Sequence, residues 1–323
     1  MPPIFRAPAF GLTMAAFYLA FSMSPSLVTL ASKRVIPLFS YVTILVSFFF
    51  VLFFVPETLP SEVSRNAAMS RGEERMQKEF GMNVYERVLL RPFRDLSILN
   101  RSTFSRIIVI MAILSAMVYS SDKTVLLYYI ENHLDFNIKD VANYFLVHGL
   151  AGIIVQTYIL KQLTASIGER YVLIMAYSIG AIYNFLFGIA NNKAIIYLAG
   201  LVSAFSAMAY PTLTSINSYN GTPLEQGLLQ GALASVGALA EGFGPLIMTF
   251  VYNRTKDGAL FGAGTMFFVG TTFFAMTSVF AYILPAKHAN SRKKNTHVAL
   301  NQMVLLDNDH LNDEESRESE VRF

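Results

Sequence analysis

The chain has 323 residues, of which 54% are hydrophobic and only 15% charged, with a mean hydropathy of +0.44 and a formal net charge of +3. A soluble domain of this length carries far more charge, so the composition indicates an integral membrane protein. The net charge itself decides little, but the basic residues lie in loops beside the apolar segments, so no nucleic-acid partner is predicted. The absence of cysteine excludes disulfides, thiol catalysis and thiolate metal sites.

Long apolar segments recur along the chain as far as residue 284. A helix needs about 20 mostly apolar residues to cross the hydrocarbon core of a bilayer. These segments are continuously apolar rather than alternating, which argues against transmembrane strands. We therefore predict an all-α polytopic membrane protein with about eight transmembrane helices. The predicted spans, first to eighth, lie near residues 10–32, 35–55, 106–130, 141–163, 170–190, 194–219, 228–252 and 259–284.

Basic residues concentrate in the connection between the second and third spans and in the tail after the eighth span. Loops enriched in Lys and Arg stay on the cytoplasmic side, so we predict that this connection and both termini are cytoplasmic. Lys33 and Arg34, in the turn after the first span, are a mild exception. The basic residues are Arg65, Arg71, Arg75, Lys78, Arg87, Arg91, Arg94 and Arg101 in the connection, and Lys287, Arg292, Lys293 and Lys294 in the tail.

The same pattern divides the chain into four parts. We expect two helices within residues 1–55, a cytoplasmic linker at 56–105, a six-helix bundle at 106–285 and a cytoplasmic tail at 286–323. Apolar residues recur at helical spacing between positions 76 and 88, which fits either a helix on the membrane surface or a solvated linker helix. The tail is first basic and then acidic with few aromatic residues, so it is predicted to be disordered.

Several spans carry polar residues on one helix face. Such faces either converge on a water-filled or substrate-filled cavity, or pack helix against helix through small and hydroxyl side chains. Ionisable groups are costly in lipid, so we favour function for Asp122, His148 and Glu241, and packing for the Ser and Thr positions. The faces comprise Tyr119, Asp122 and Tyr129 in the third span; Tyr144, His148, Gly152 and Gln156 in the fourth; Ser203, Ser206, Tyr210, Thr214 and Asn217 in the sixth; and Gln230, Ala234, Gly237, Glu241 and Pro245 in the seventh.

Lys123 directly follows Asp122 but lies about 100° further round the helix. We therefore predict that its ammonium group reaches the outer interface of the membrane or pairs with Glu131, rather than belonging to the polar face.

The seventh span opens with a glycine-containing motif. Glycines four residues apart allow close approach of a neighbouring helix, and a proline within the span permits a kink. The glycines serve either as a hinge or as close-packing positions; we favour packing, with bending as its consequence. The motif consists of Glu225, Gln226, Gly227, Gln230 and Gly231, followed by Gly244 and Pro245.

Taken in this order, the motifs resemble those of major facilitator superfamily transporters, in the branch of the tetracycline-resistance and hippocampus-abundant-transcript-like proteins. Six spans after a long basic loop resemble the second half of such a transporter, and the motif at 225–231 is similar to the start of its eleventh helix. Residues 6–11 with Ser24 and Pro25, residues 56–60 and residues 91–96 resemble parts of its fifth helix, the end of its sixth and the approach to its seventh.

The resemblance implies the last two helices of an N-terminal bundle followed by a complete C-terminal bundle, without the first four helices. It also implies a secondary, proton-coupled carrier of small organic solutes. The five histidines show no metal-ligand spacing, so we predict no metal and no cofactor. In this interpretation Asp122 and Glu241 bind the coupling proton, His148 and Gln156 face the substrate, and Tyr210 belongs to the same pathway. The alternative is a transport-inactive membrane protein that binds a partner or senses a solute. We further expect that transport requires a missing N-terminal bundle or another chain, because alternating access needs two bundles.

Overall fold

The computed structural model describes residues 6–30, 35–55, 69, 96–221, 225–258 and 262–285. Eight helices in this part are long and apolar enough to cross a membrane, which confirms the predicted number of spans. The predicted surface helix of the linker and the predicted disordered tail lie outside the described residues. The spans, first to eighth, are Arg6–Leu30, Val35–Phe54, Thr103–His133, Ile138–Ser166, Glu169–Gly188, Lys193–Ser218, Gln226–Thr255 and Gly262–Ile283.

The third to eighth spans pack into one bundle. The most extensive contacts join the fifth span to the eighth and the third span to the seventh. Large aromatic side chains fill its centre: Tyr177, Tyr183, Phe187 and Phe274 are at most 2% exposed. Lipid is as apolar as leucine, so van der Waals packing rather than hydrophobic burial holds such helices together. Close backbone approach is therefore important, and at Gly244 an added Cβ would strike the backbone of Met117 in the third span.

In the sixth and seventh spans a proline lacks the amide proton of a regular helix, and in both cases the neighbouring helix satisfies the freed carbonyl. Pro211 leaves the carbonyl of Ala207 without its usual partner, and Gln156 Nε2 donates to that oxygen at 2.9 Å. Pro245 does the same to the carbonyl of Glu241, and Ser120 Oγ donates to it at 2.7 Å. The sixth span is accordingly divided into the helices Lys193–Ser206 and Ala209–Ser218.

The fourth span is also irregular. It consists of the α-helix Ile138–Ile154, a π-helical turn at Val155–Ile159 and the α-helix Leu160–Ser166. A π-helical turn holds more residues than an α-helical turn, so it rotates the side chains that follow relative to those before it.

The first two spans differ in their packing. The first span lies along the fourth, where Gly149 admits Ser22 and Gly152 admits the ring of Tyr18. At its start, Arg6 Nη1 donates to Ser218 Oγ at 2.9 Å. No residue of the second span is buried. The first span is thus joined to the six-helix bundle, whereas the second exposes its whole circumference in the described structure.

The prediction of close packing at Gly227 and Gly231 is wrong for the described residues. A Cβ added at either glycine would meet no atom within 4 Å. Both glycines are exposed, because the seventh span turns the intervening Leu229 toward the bundle instead. Gly244, by contrast, is a close contact as expected.

Candidate functional site

A cavity of about 400 Å³ lies where the first span meets the bundle. Polar side chains from the third to the seventh spans meet in it, and the first span closes one side with aromatic rings. Four of the predicted pathway residues line it: Asp122, His148, Tyr210 and Glu241. The other lining residues are Met14, Phe17, Tyr18, Phe21, Tyr119, Lys123, Leu126, Tyr144, Phe145, Tyr183, Phe187, Ser203 and Ala207.

Asp122 receives two hydrogen bonds at a single carboxylate oxygen. Tyr183 Oη donates to Oδ2 at 2.7 Å, and Asn184 Nδ2 donates to the same atom at 3.2 Å. Both donors come from the fifth span, so they tie the carboxyl group of the third span to its neighbour. Asn184 is fully buried, and its own Oδ1 has no hydrogen-bond partner. Asn184 was absent from the predicted site, although an amide within an apolar span is a signal that could have found it.

His148 is held at one ring nitrogen. Nδ1 lies 2.9 Å from the carbonyl oxygen of Gly200 and 3.1 Å from Ser203 Oγ. A carbonyl can only accept, so Nδ1 carries a proton, and in the neutral ring Nε2 is left as an acceptor. The ring is stacked on Tyr144, with centroids 6.2 Å apart, and meets the edge of Tyr18 at 5.5 Å. His148 therefore offers the cavity a fixed ring rather than a mobile one.

Glu241 lies where this cavity adjoins a second one of about 170 Å³. Tyr119 and Tyr210 also line both cavities, and Tyr119 Oη donates to the carbonyl of Ser206 at 2.8 Å. The Glu241 side chain is exposed in the described structure. Because Ser120 binds its main-chain oxygen, the position of Glu241 is fixed by the third span while its carboxyl group remains available.

Lys123 is found in a different place from the one predicted. Its side chain lines the large cavity, and Nζ lies 5.4 Å from the centre of the Phe17 ring. It makes no ion pair with Glu131 within the described residues, and its exposed side chain reaches the ring of Phe17 in the first span. Only the relative position of the first and third spans reveals this, since the periodicity of the third span alone points the side chain elsewhere.

Gln156 does not line the cavity, contrary to prediction. Its side chain is 1% exposed, and its Nε2 donates a hydrogen bond to the carbonyl oxygen of Ala207. It lies within the π-helical turn, which removes it from the face that carries His148.

The motif at the start of the seventh span holds the connection from the sixth. Gln226 Nε2 donates to the carbonyls of Ser218 and Gly221, and Gln230 Nε2 donates to that of Thr214 at 3.1 Å. Glu225 Oε1 lies 2.9 Å from Nη1 of Arg101, at the approach to the third span. These contacts give the motif a structural role, while Gln230 also lines the smaller cavity.

The sequence profile of the Major Facilitator Superfamily matches residues 1–245. The chain belongs to the major facilitator superfamily. The human hippocampus abundant transcript 1 protein is 23% identical over 251 residues, which are 76% of this chain and 49% of that protein. The mouse major facilitator superfamily domain-containing protein 10 is 22% identical over 256 residues, which are 78% of this chain and 55% of that protein. The chain thus spans about half the length of the curated relatives it matches.

A solved structure shares the superfamily fold. The crystal structure of the human organic anion transporter MFSD10 (TETRAN) matches 87% of this chain and 65% of its own, with a TM-score of 0.70 and 21% sequence identity. This confirms the predicted all-α, major-facilitator-type fold, with eight helices long and apolar enough to span a membrane in the described part of the chain.

Proposed function

We propose that the protein is a secondary, proton-coupled transporter of small organic solutes. The observation that carries this proposal is the cavity in which Asp122, Glu241 and His148 meet inside otherwise apolar spans. Ionisable groups at membrane depth mark solute and proton pathways, because they are too costly to keep in lipid without a purpose. A cavity of about 400 Å³ is within the size range of small-molecule sites.

The two carboxyl groups differ in their hydrogen bonding, and this difference supports proton coupling. Asp122 is held by the fifth span through Tyr183 and Asn184, whereas Glu241 stands at the junction of the two cavities without a hydrogen bond to its carboxyl group in the described structure. A carboxyl group that takes up a proton while the cavity opens to one side and releases it toward the other is sufficient to couple the two flows.

Transport by this mechanism requires two bundles that move about a shared site. The first span contributes to the cavity, yet the second has no buried residue. We therefore propose that flux needs further helices, supplied by an N-terminal bundle or by another chain. We also propose that the basic connection and both termini face the cytoplasm, as the distribution of Lys and Arg predicts.

The experiment compares two preparations in proteoliposomes under an imposed proton gradient. One contains residues 1–323; the other contains the same chain fused behind the preceding helices of the human hippocampus abundant transcript 1 protein. Radiolabelled benzoate, tetraethylammonium and glucose serve as anionic, cationic and neutral probes, since the MFSD10 structure is described as that of an organic anion transporter.

We expect flux of at least one probe above the level of empty liposomes in the fused preparation only. Flux by residues 1–323 alone would overturn the requirement for further helices while leaving transport in place. No flux in either preparation would contradict transport and favour the alternative of a partner-binding or solute-sensing membrane protein.

A further inference from the structure

Lys123 provides a positive charge that forms no ion pair with any described residue. Its side chain is exposed to the large cavity, and no carboxylate in the described structure lies within ion-pair distance of Nζ. Its only described contact of this kind is with the face of the Phe17 ring, at 5.4 Å. A cation–π contact stabilises an ammonium group less than an ion pair with a carboxylate does. The site therefore favours binding of an anion from outside the chain.

The neighbouring carboxylate does not take this role. Asp122 precedes Lys123 in the sequence, but its Oδ2 already accepts hydrogen bonds from Tyr183 and Asn184 of the fifth span. The side chains of consecutive helical residues point about 100° apart around the helix axis, so the two groups contact different neighbours. Glu241 lines the same cavity, yet it too makes no ion pair with Lys123.

The charge of the cavity depends on its carboxyl groups. One ammonium and two carboxyl groups face it, so the net charge is −1 with both carboxyls ionised and +1 with both protonated. His148 adds a further positive charge only when Nε2 is protonated as well, because its Nδ1 already donates to a main-chain carbonyl. The titratable and charged groups that face the cavity are Tyr18 from the first span, Tyr119, Asp122 and Lys123 from the third, Tyr144 and His148 from the fourth, Tyr183 from the fifth, Tyr210 from the sixth and Glu241 from the seventh.

The apolar part of the lining is largely aromatic. Phe17, Phe21, Phe145 and Phe187 stand beside the tyrosines, and the rings of Phe21 and Phe145 meet edge to face at 4.8 Å. Aromatic side chains bind aromatic rings through offset-stacked and edge-to-face contacts. A ligand with a ring and a single anionic group would therefore use both the rings and Lys123.

We propose that Lys123 binds the carboxylate of a small aromatic acid, and that protons on Asp122 and Glu241 permit this binding by removing the opposing negative charge. This inference rests on the proposed transport function and specifies its substrate class. It makes transport a symport, since the anion and the protons occupy the cavity together and leave it together.

The test uses three probes that share one ring and differ in charge: benzoate, neutral benzamide and cationic benzamidine. Binding is measured by isothermal titration to the purified chain in lipid nanodiscs, at about pH 5.5 and about pH 8.5, so that the proton concentration differs about a thousandfold. The variants are Lys123→Gln, Lys123→Arg and the double variant Asp122→Asn/Glu241→Gln. Lys139→Gln is the matched control, because it removes an equal charge from outside the cavity.

We expect benzoate to bind more tightly at the lower pH, and Lys123→Gln to weaken it about tenfold or more while leaving benzamide unchanged. Lys123→Arg and Lys139→Gln should stay within about threefold of the wild type. The double variant should bind benzoate at the higher pH as tightly as the wild type does at the lower pH. Unchanged benzamide binding shows that each variant retains the cavity.

Three results would overturn the proposal. Equal binding of benzoate by the wild type and Lys123→Gln would exclude the role of Lys123. Tighter binding of benzamidine than benzoate at the lower pH would exclude an anionic substrate. Binding of none of the three probes would exclude an aromatic site altogether, and flux of other solutes in the transport assay would then show whether the transporter proposal survives.

Discussion

The contact between the third and seventh spans should fail when a single methyl group is added at Gly244. The built Cβ lies 2.7 Å from the Cα of Met117 and 2.8 Å from its carbonyl carbon. Carbon atoms in contact prefer about 3.5 to 4.0 Å, so the overlap is about 1 Å. The obstructing atoms are helix backbone, which cannot rotate away. We expect Gly244→Ala to force the two helices apart and to destabilise the protein by about 1–3 kcal/mol.

The same substitution two residues earlier provides the control. A Cβ at Gly242 meets no atom within 4 Å. Alanine favours a helix over glycine by about 1 kcal/mol, so Gly242→Ala should leave stability unchanged or raise it. Thermal unfolding of both variants in detergent is followed by circular dichroism. We expect the unfolding midpoint to be lower than that of the wild type for Gly244→Ala alone. Equal midpoints for the two variants would refute the close contact.

Three further predictions concern other contacts. Tyr183→Phe removes the donor at 2.7 Å from Asp122, so a double-mutant cycle with Asp122→Asn should give a coupling of about 1.5–3 kcal/mol; additive effects would show that the hydrogen bond contributes nothing. Gly149→Val would drive a branched side chain into Ser22, so hydrogen exchange should accelerate in the first span; unchanged protection would contradict its packing on the fourth. Gly231→Ala should be tolerated in the purified chain, and a large loss of folded yield would show that a neighbour contacts it after all.

The sequence predicted those parts of the fold and site that depend on a single helix. Span length and continuous hydrophobicity are local properties, so the eight spans were found within a few residues of their bounds. Asp122, His148 and Glu241 were also predictable, because an ionisable group in an apolar helix must turn away from lipid.

The parts that depend on packing between helices were not predictable. Gln156 shares four-residue spacing with His148, but the π-helical turn and the free carbonyl created by Pro211 draw it out of the cavity. Lys123 was assigned away from the cavity because the position of the first span, which brings Phe17 beneath its ammonium group, cannot be inferred from the third span alone. Gly231 has a spacing suited to close packing, but spacing does not supply a neighbour.

The central claim is that carboxyl groups in the cavity couple solute movement to protons. It is tested most directly by solute accumulation in proteoliposomes, using the preparation that transports and comparing the wild type with Glu241→Gln and Asp122→Asn. We expect Glu241→Gln to abolish accumulation driven by a proton gradient while exchange of labelled for unlabelled solute continues, because the site remains but the coupling proton does not. Accumulation at the wild-type level in both variants would contradict it and leave these residues with a packing role.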